Sequence, residues 1–183
     1  MIKENKIFTP KWLRKFISIW FDNEYFPSVK MIQEKNWNAL PVADTLNPME
    51  AEWLSNANTN SGISEILGLS FEFDDVPVLD IIDVNRDSIL EYNFFNSYKY
   101  VFLISSELEF LYFKDQGNRF FLLCGNSIFI KNAYKCSYET AKLMYFDYWI
   151  ESDFNSQKEK EFLARIWGKY SVCKPTRKPH ISD

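Results

Sequence analysis

At 183 residues, with 46% hydrophobic and 25% charged side chains, the chain can bury a sizeable core and does not have the composition of a disordered segment. Its net charge of −4 and isoelectric point near 5.2 work against phosphate-backbone binding, so nucleic acid is an unfavoured partner. The aromatic share is 18%, and rings bury much area at little rotamer cost, so a core built on aromatic side chains is expected.

The N-terminal residues MIKENKIF lack an apolar run and a small-residue cleavage site, so no signal peptide is expected. Thr9-Pro10 then starts an amphipathic helix ending near Asp22, with Trp12, Leu13, Phe16, Ile17, Trp20 and Phe21 along one face. Asn23 to Leu46 reads as irregular, with a turn of helix around Ser28 to Lys35. Asn47-Pro48 repeats the start signal for a helix over Met49 to Asn58. After Ser61-Gly62, a short helix through Ile66 and Leu67 with Gly68 as terminator is expected, followed by a strand carrying Leu69, Phe71 and Phe73. Val76 to Val84 is compatible with strand or helix, and Asp87 to Phe95 has a helical face of Ile89, Leu90, Phe94 and Phe95.

An antiparallel meander is expected over Tyr98 to Ile130. Its runs are Tyr100 to Ile104, Leu108 to Phe113, Arg119 to Cys124 and Ser127 to Lys131, with Asp115-Gln116-Gly117-Asn118 and Gly125-Asn126 supplying positive-φ turn residues. The interior apolar stretch Val101 to Phe113 is too short and too charged to span a bilayer. Two helices follow: Tyr138 to Glu151, and one started by the capping box Ser156 with Glu159 that bears Phe162, Leu163, Ile166, Trp167 and Tyr170. Strands grouped together and flanked by helices give an α+β fold, with a meander of about four to five strands packed by N- and C-terminal helices. One domain over residues 1–173 and a flexible tail over 174–183 are expected.

No catalytic or metal-binding signature is present. The three cysteines, Cys124, Cys136 and Cys173, form no C-x-x-C pair, the sole histidine is His180, and five glycines offer little for phosphate-cradling loops. No cofactor is expected. Charge, however, is unevenly placed: from Ser61 to Tyr98 eight carboxylates face one arginine, a net of −7, while the rest of the chain carries +3. Glu72, Asp74, Asp75, Asp80, Asp83 and Asp87 are the candidate contact residues for a basic partner, with two or three aromatic anchors beside them. A solvated face is the plainer account of the same run. A second reading takes Asp80 or Asp83, Glu107 or Glu109, and Lys114 as the carboxylates and lysine of a metal-dependent, nuclease-like hydrolase.

The acidic segment Glu65 to Glu91, the aromatic meander Tyr98 to Ile130 and the missing catalytic residues together resemble the layout of bacterial toxin-immunity proteins, those of contact-dependent growth inhibition included. The resemblance implies a cytoplasmic antitoxin, not an enzyme, that neutralises a cognate toxin by occluding its active site or substrate surface. Sixteen lysines against five arginines fit an AT-rich bacterial gene.

Overall fold

A computed structural model describes residues 10–72, 77–151, 153 and 155–173. The fold is α+β: one six-stranded, wholly antiparallel sheet with helices against both faces. In chain order, α1 (Pro10–Trp20) and α2 (Val29–Glu34) precede β1 (Asn38–Ala43). Next come α3 (Pro48–Asn60), β2 (Glu65–Phe71), β3 (Val78–Asp83) and α4 (Arg86–Phe95). The strands β4 (Tyr100–Ser105), β5 (Phe110–Lys114) and β6 (Phe120–Gly125) follow, then α5 (Ser127–Ala133) and α6 (Tyr138–Met144). A π-helical stretch Tyr145–Ile150, α7 (Gln157–Tyr170) and a 3₁₀ turn Ser171–Cys173 complete the order. The sheet runs β1-β6-β5-β4-β2-β3, so the local meander β4-β5-β6 forms its centre and the distant β1 and β3 its edges.

Strands β4, β5 and β6 are buried at every position. Both of their faces are covered, which is why YVFLIS, FLYFK and FFLLCG read as continuous apolar runs without alternation. On one face Phe102 and Phe113 meet Phe21 at 4.4 and 6.1 Å, Phe16 meets Phe102 edge-on at 6.1 Å, and Phe120 packs between Phe26 and Phe162. The aromatic core is therefore shared by α1, the loop after it and α7. On the other face Phe110 stacks on Phe129 of α5 at 5.0 Å, and the Tyr112 hydroxyl donates to Asn93 Oδ1 of α4 at 2.8 Å. Gly68 sits under this layer: a Cβ there would fall 2.4 Å from Ile82 Cδ1 and 2.7 Å from the Tyr92 ring.

The helix starts follow from local chemistry. Asn47, Asn85, Asn126, Ser137 and Ser156 each accept a hydrogen bond from a first-turn N–H, and Asn47–Glu50 and Ser156–Glu159 are reciprocal capping boxes. The chain ends are tied by side chains. Arg165 grips Glu24 at 2.6 Å, Lys169 pairs with Asp22, and the Tyr170 hydroxyl donates to Pro27 O at 2.8 Å.

Four expectations are corrected. Ser127 to Lys131 is helix, because Asn126 caps it by accepting from Phe129 N at 2.9 Å; a short apolar run has no period that separates helix from strand. Ile66 and Leu67 belong to β2, and Gly68 serves close packing rather than termination. Asn38 to Ala43, expected to be irregular, is β1; Pro41 disguises it, and an edge strand tolerates a missing N–H. Only Asn118 among the expected turn residues has positive φ (54°), while Gly125 ends β6. Phe73, within an expected strand, lies outside the described residues, as does the expected tail 174–183.

Candidate functional site

Charge is placed in two contrasting ways, one buried and one exposed. The buried set gathers where the β5–β6 hairpin meets the end of α4. Lys114 is 2% exposed and its ammonium donates to Asn96 O, Ser97 O and Lys99 O at 3.0–3.2 Å and to Asn118 Oδ1 at 2.8 Å. It thereby caps the carbonyls at and beyond the α4 C-terminus from a distant strand. Burial pulls its pKa down to about 8, with the neighbouring Asp115 acting the other way. Asp115, fully buried, accepts from the backbone N–H groups of Gly117, Arg119 and Phe120 and from Arg119 Nε, at 2.6–3.2 Å. Arg119 in turn lies 3.5 Å over the Phe162 ring.

Glu50, 8% exposed, closes its capping box on Asn47 N, and burial raises its pKa. These groups shape loops and helix ends, and each is engaged by its own chain. Sequence reading missed all three as buried residues. For Glu50 the signal was available in the Asn47-Pro48-Met49-Glu50 spacing. For Lys114 and Asp115 nothing local distinguishes them from an exposed hairpin pair.

The exposed set lies along the opposite edge of the sheet. Asp80 and Asp83 are exposed on β3, and strand alternation sends them to opposite faces. Asp80 lies on the α4 side, where its charge adds to the burial that raises the Tyr92 phenol pKa. Asp83 lies directly across from Glu65 of β2, a like-charge pair. Glu72 follows β2 beside Arg14, Ile17 and Pro77, at the far end of the β2–β3 ribbon from Asp83, on the order of 23 Å away. Asp87 begins α4, paired with Arg86 at 2.8 Å. Asp74 and Asp75 lie outside the described residues.

The described members thus border one edge without forming a compact cluster. The helix adds what the strand lacks. Asp87, Glu91, Phe94 and Phe95 recur at helical spacing along the exposed face of α4, and Tyr98 follows in the next turn. Phe94, Phe95 and Tyr98 are 75%, 76% and 80% exposed, and Ile81 of β3 is 67% exposed.

The hydrolase constellation does not assemble. Asp80 and Asp83 stand on β3 at the sheet edge, whereas Lys114 is buried three strands away on β5 with its ammonium enclosed. Among the described residues no three His, Cys, Asp or Glu side chains converge to hold a metal ion. Burial pushes the pKa values of Cys124 and Cys173 up, away from a reactive thiolate. No family model, curated protein or solved structure matches the chain. Its function is therefore argued from its own surface. No described helix is long and apolar enough to cross a membrane.

Proposed function

We propose that the chain is a protein-binding immunity protein that neutralises a cognate toxin by covering its active site or substrate surface. The contact face is the outer side of α4 together with the open edge of β3. One observation carries this reading: three aromatic rings, Phe94, Phe95 and Tyr98, stand almost fully in water in line with the carboxylates of Asp87 and Glu91. Solvating large rings forgoes roughly 1.5–3 kcal/mol each relative to burial, and aromatic anchors ringed by charge are the anatomy of interface hot spots.

The acidic border fits a basic partner. Glu65, Asp83 and Glu91 make no ion pair among the described residues, and Glu65 and Asp83 face each other across the strand pair. Complementary potential would speed encounter, while the rings would set the lifetime of the complex. A nuclease toxin, whose substrate groove must be cationic, suits such a surface.

The test is co-expression with the product of the neighbouring reading frame, followed by capture and a toxicity assay. Replacing Phe94, Phe95 and Tyr98 together by Ser is expected to weaken capture at least about a hundredfold and to abolish protection. The melting temperature should stay unchanged. Undiminished capture would move the contact to another face.

A further inference from the structure

A cavity of about 620 Å³ opens between β1 and α5, on the side of the sheet edge opposite β3. Small-molecule sites fall in this size range and share its character, an apolar lining with few polar groups. Leu40, Ile130, Tyr134 and Tyr138 supply the apolar and aromatic walls. Three polar side chains on its lining could meet a ligand.

The first is Asn38. Strand alternation turns it, with Leu40, toward α5, and its cross-strand neighbour is Gly125, which has no side chain to offer. Asn38 is 9% exposed, yet its amide makes no hydrogen bond to any described residue. The other buried asparagines each make at least one side-chain bond: Asn58 donates to Leu54 O, though its Oδ1 has no partner, and Asn93 donates to Ile89 O while accepting from Tyr112. The Asn38 amide, left in this way, can pair with a ligand in the cavity. The remaining two are Lys131 and Lys135, exposed at the cavity lining with no carboxylate within ion-pair range among the described residues.

We propose that this cavity binds an amphipathic monoanion: an apolar body bearing a hydroxyl or carbonyl that meets the Asn38 amide and a carboxylate held by Lys131 and Lys135. The apolar walls exclude a sugar or nucleotide, which would leave its many polar groups unpaired. An uncharged lipid would leave the lysines unused. The site is independent of the α4 face, so each stands or falls alone.

Calorimetry on the full chain with three probes of one chain length tests it: ω-hydroxydecanoate, decanoate and 1-decanol. Binding is expected in the order hydroxy acid, acid, alcohol. Asn38→Leu should cut hydroxy-acid affinity about fivefold to tenfold, to the level of decanoate, and leave decanoate unchanged. Lys131→Glu with Lys135→Glu should weaken both acids about tenfold and spare decanol. Should Asn38→Leu fail to fold, Ser127→Trp, an exposed position on the lining, serves instead by blocking all three probes. No binding of any probe at its solubility limit, or affinities indifferent to the lysine reversal, overturns the proposal.

Discussion

The hairpin that carries Lys114 and Asp115 and the edge formed by β3 and α4 are both rich in charge, yet the two regions treat it in opposite ways. At the hairpin Lys114 and Asp115 are buried and surrounded by backbone groups that need them. At the edge Glu65, Asp83 and Glu91 stand in water with no ionic partner among the described residues, beside uncovered rings. The difference separates architecture from availability. A buried charge fully enclosed by its own chain has nothing left for a substrate, whereas an exposed, self-repelling row gains by meeting something cationic.

The strongest way to break that contrast is Asp115→Ala. It removes four accepted hydrogen bonds and leaves Arg119 without its carboxylate, so a loss of about 3–5 kcal/mol is expected in urea unfolding. A loss under about 1 kcal/mol would place the hairpin's charges among the dispensable ones.

Lys114 gives the next test, through pH. Its folded pKa of about 8 lies below the ordinary lysine value, so between pH 8 and 10 the unfolded chain holds the extra proton and stability rises with pH. Relative to Lys114→Met, the wild type should gain on the order of 2 kcal/mol across that window. Above pH 10 both proteins lose stability, because the buried phenols of Tyr112, Tyr145 and Tyr170 have raised pKa values and the unfolded chain releases their protons first. Parallel curves for the two proteins below pH 10 would show that the carbonyl cage holds the ammonium at its usual pKa.

The smallest effect sharpens the other side of the contrast. Asp83→Lys turns a like-charge cross-strand pair with Glu65 into an attractive one, so it should stabilise the fold by about 0.2–1 kcal/mol. The same change should slow capture of the proposed basic partner, most visibly at low salt. A mutation that improves the fold while impairing association marks a residue kept for contact; faster capture would remove Asp83 from the interface.

What could be read from the residues divides along similar lines. Asn and Ser caps, the capping boxes and the apolar runs of β4 to β6 are local signals, and they located α3, α4, α7 and the central meander. Strand β1 escaped because its reason for being a strand is β6, far along the chain, and Pro41 argued against it locally. After Cys124, Ser-Ile-Phe-Ile-Lys suits either period, and only the Asn126 cap decides for helix. At the candidate face the carboxylates were visible in composition. Their division between two faces of β3 follows from alternation once Val78–Asp83 is a strand, whereas the exposure of Phe94 and Phe95, expected on one face with Ile89 and Leu90, depends on how α4 is rotated against the sheet. No one-dimensional spacing contains that rotation.

The two margins of the sheet are not equivalent, and this bears on self-association. Pro41 interrupts the donor row of β1, and α2, α7 and the closing 3₁₀ turn pack against that strand, leaving all six of its residues buried. Among the described residues β3 alone remains able to accept a further strand. A molecule with a single usable margin can join a copy of itself only once, about a two-fold axis, so edge pairing would end in a closed dimer and never extend into a fibre.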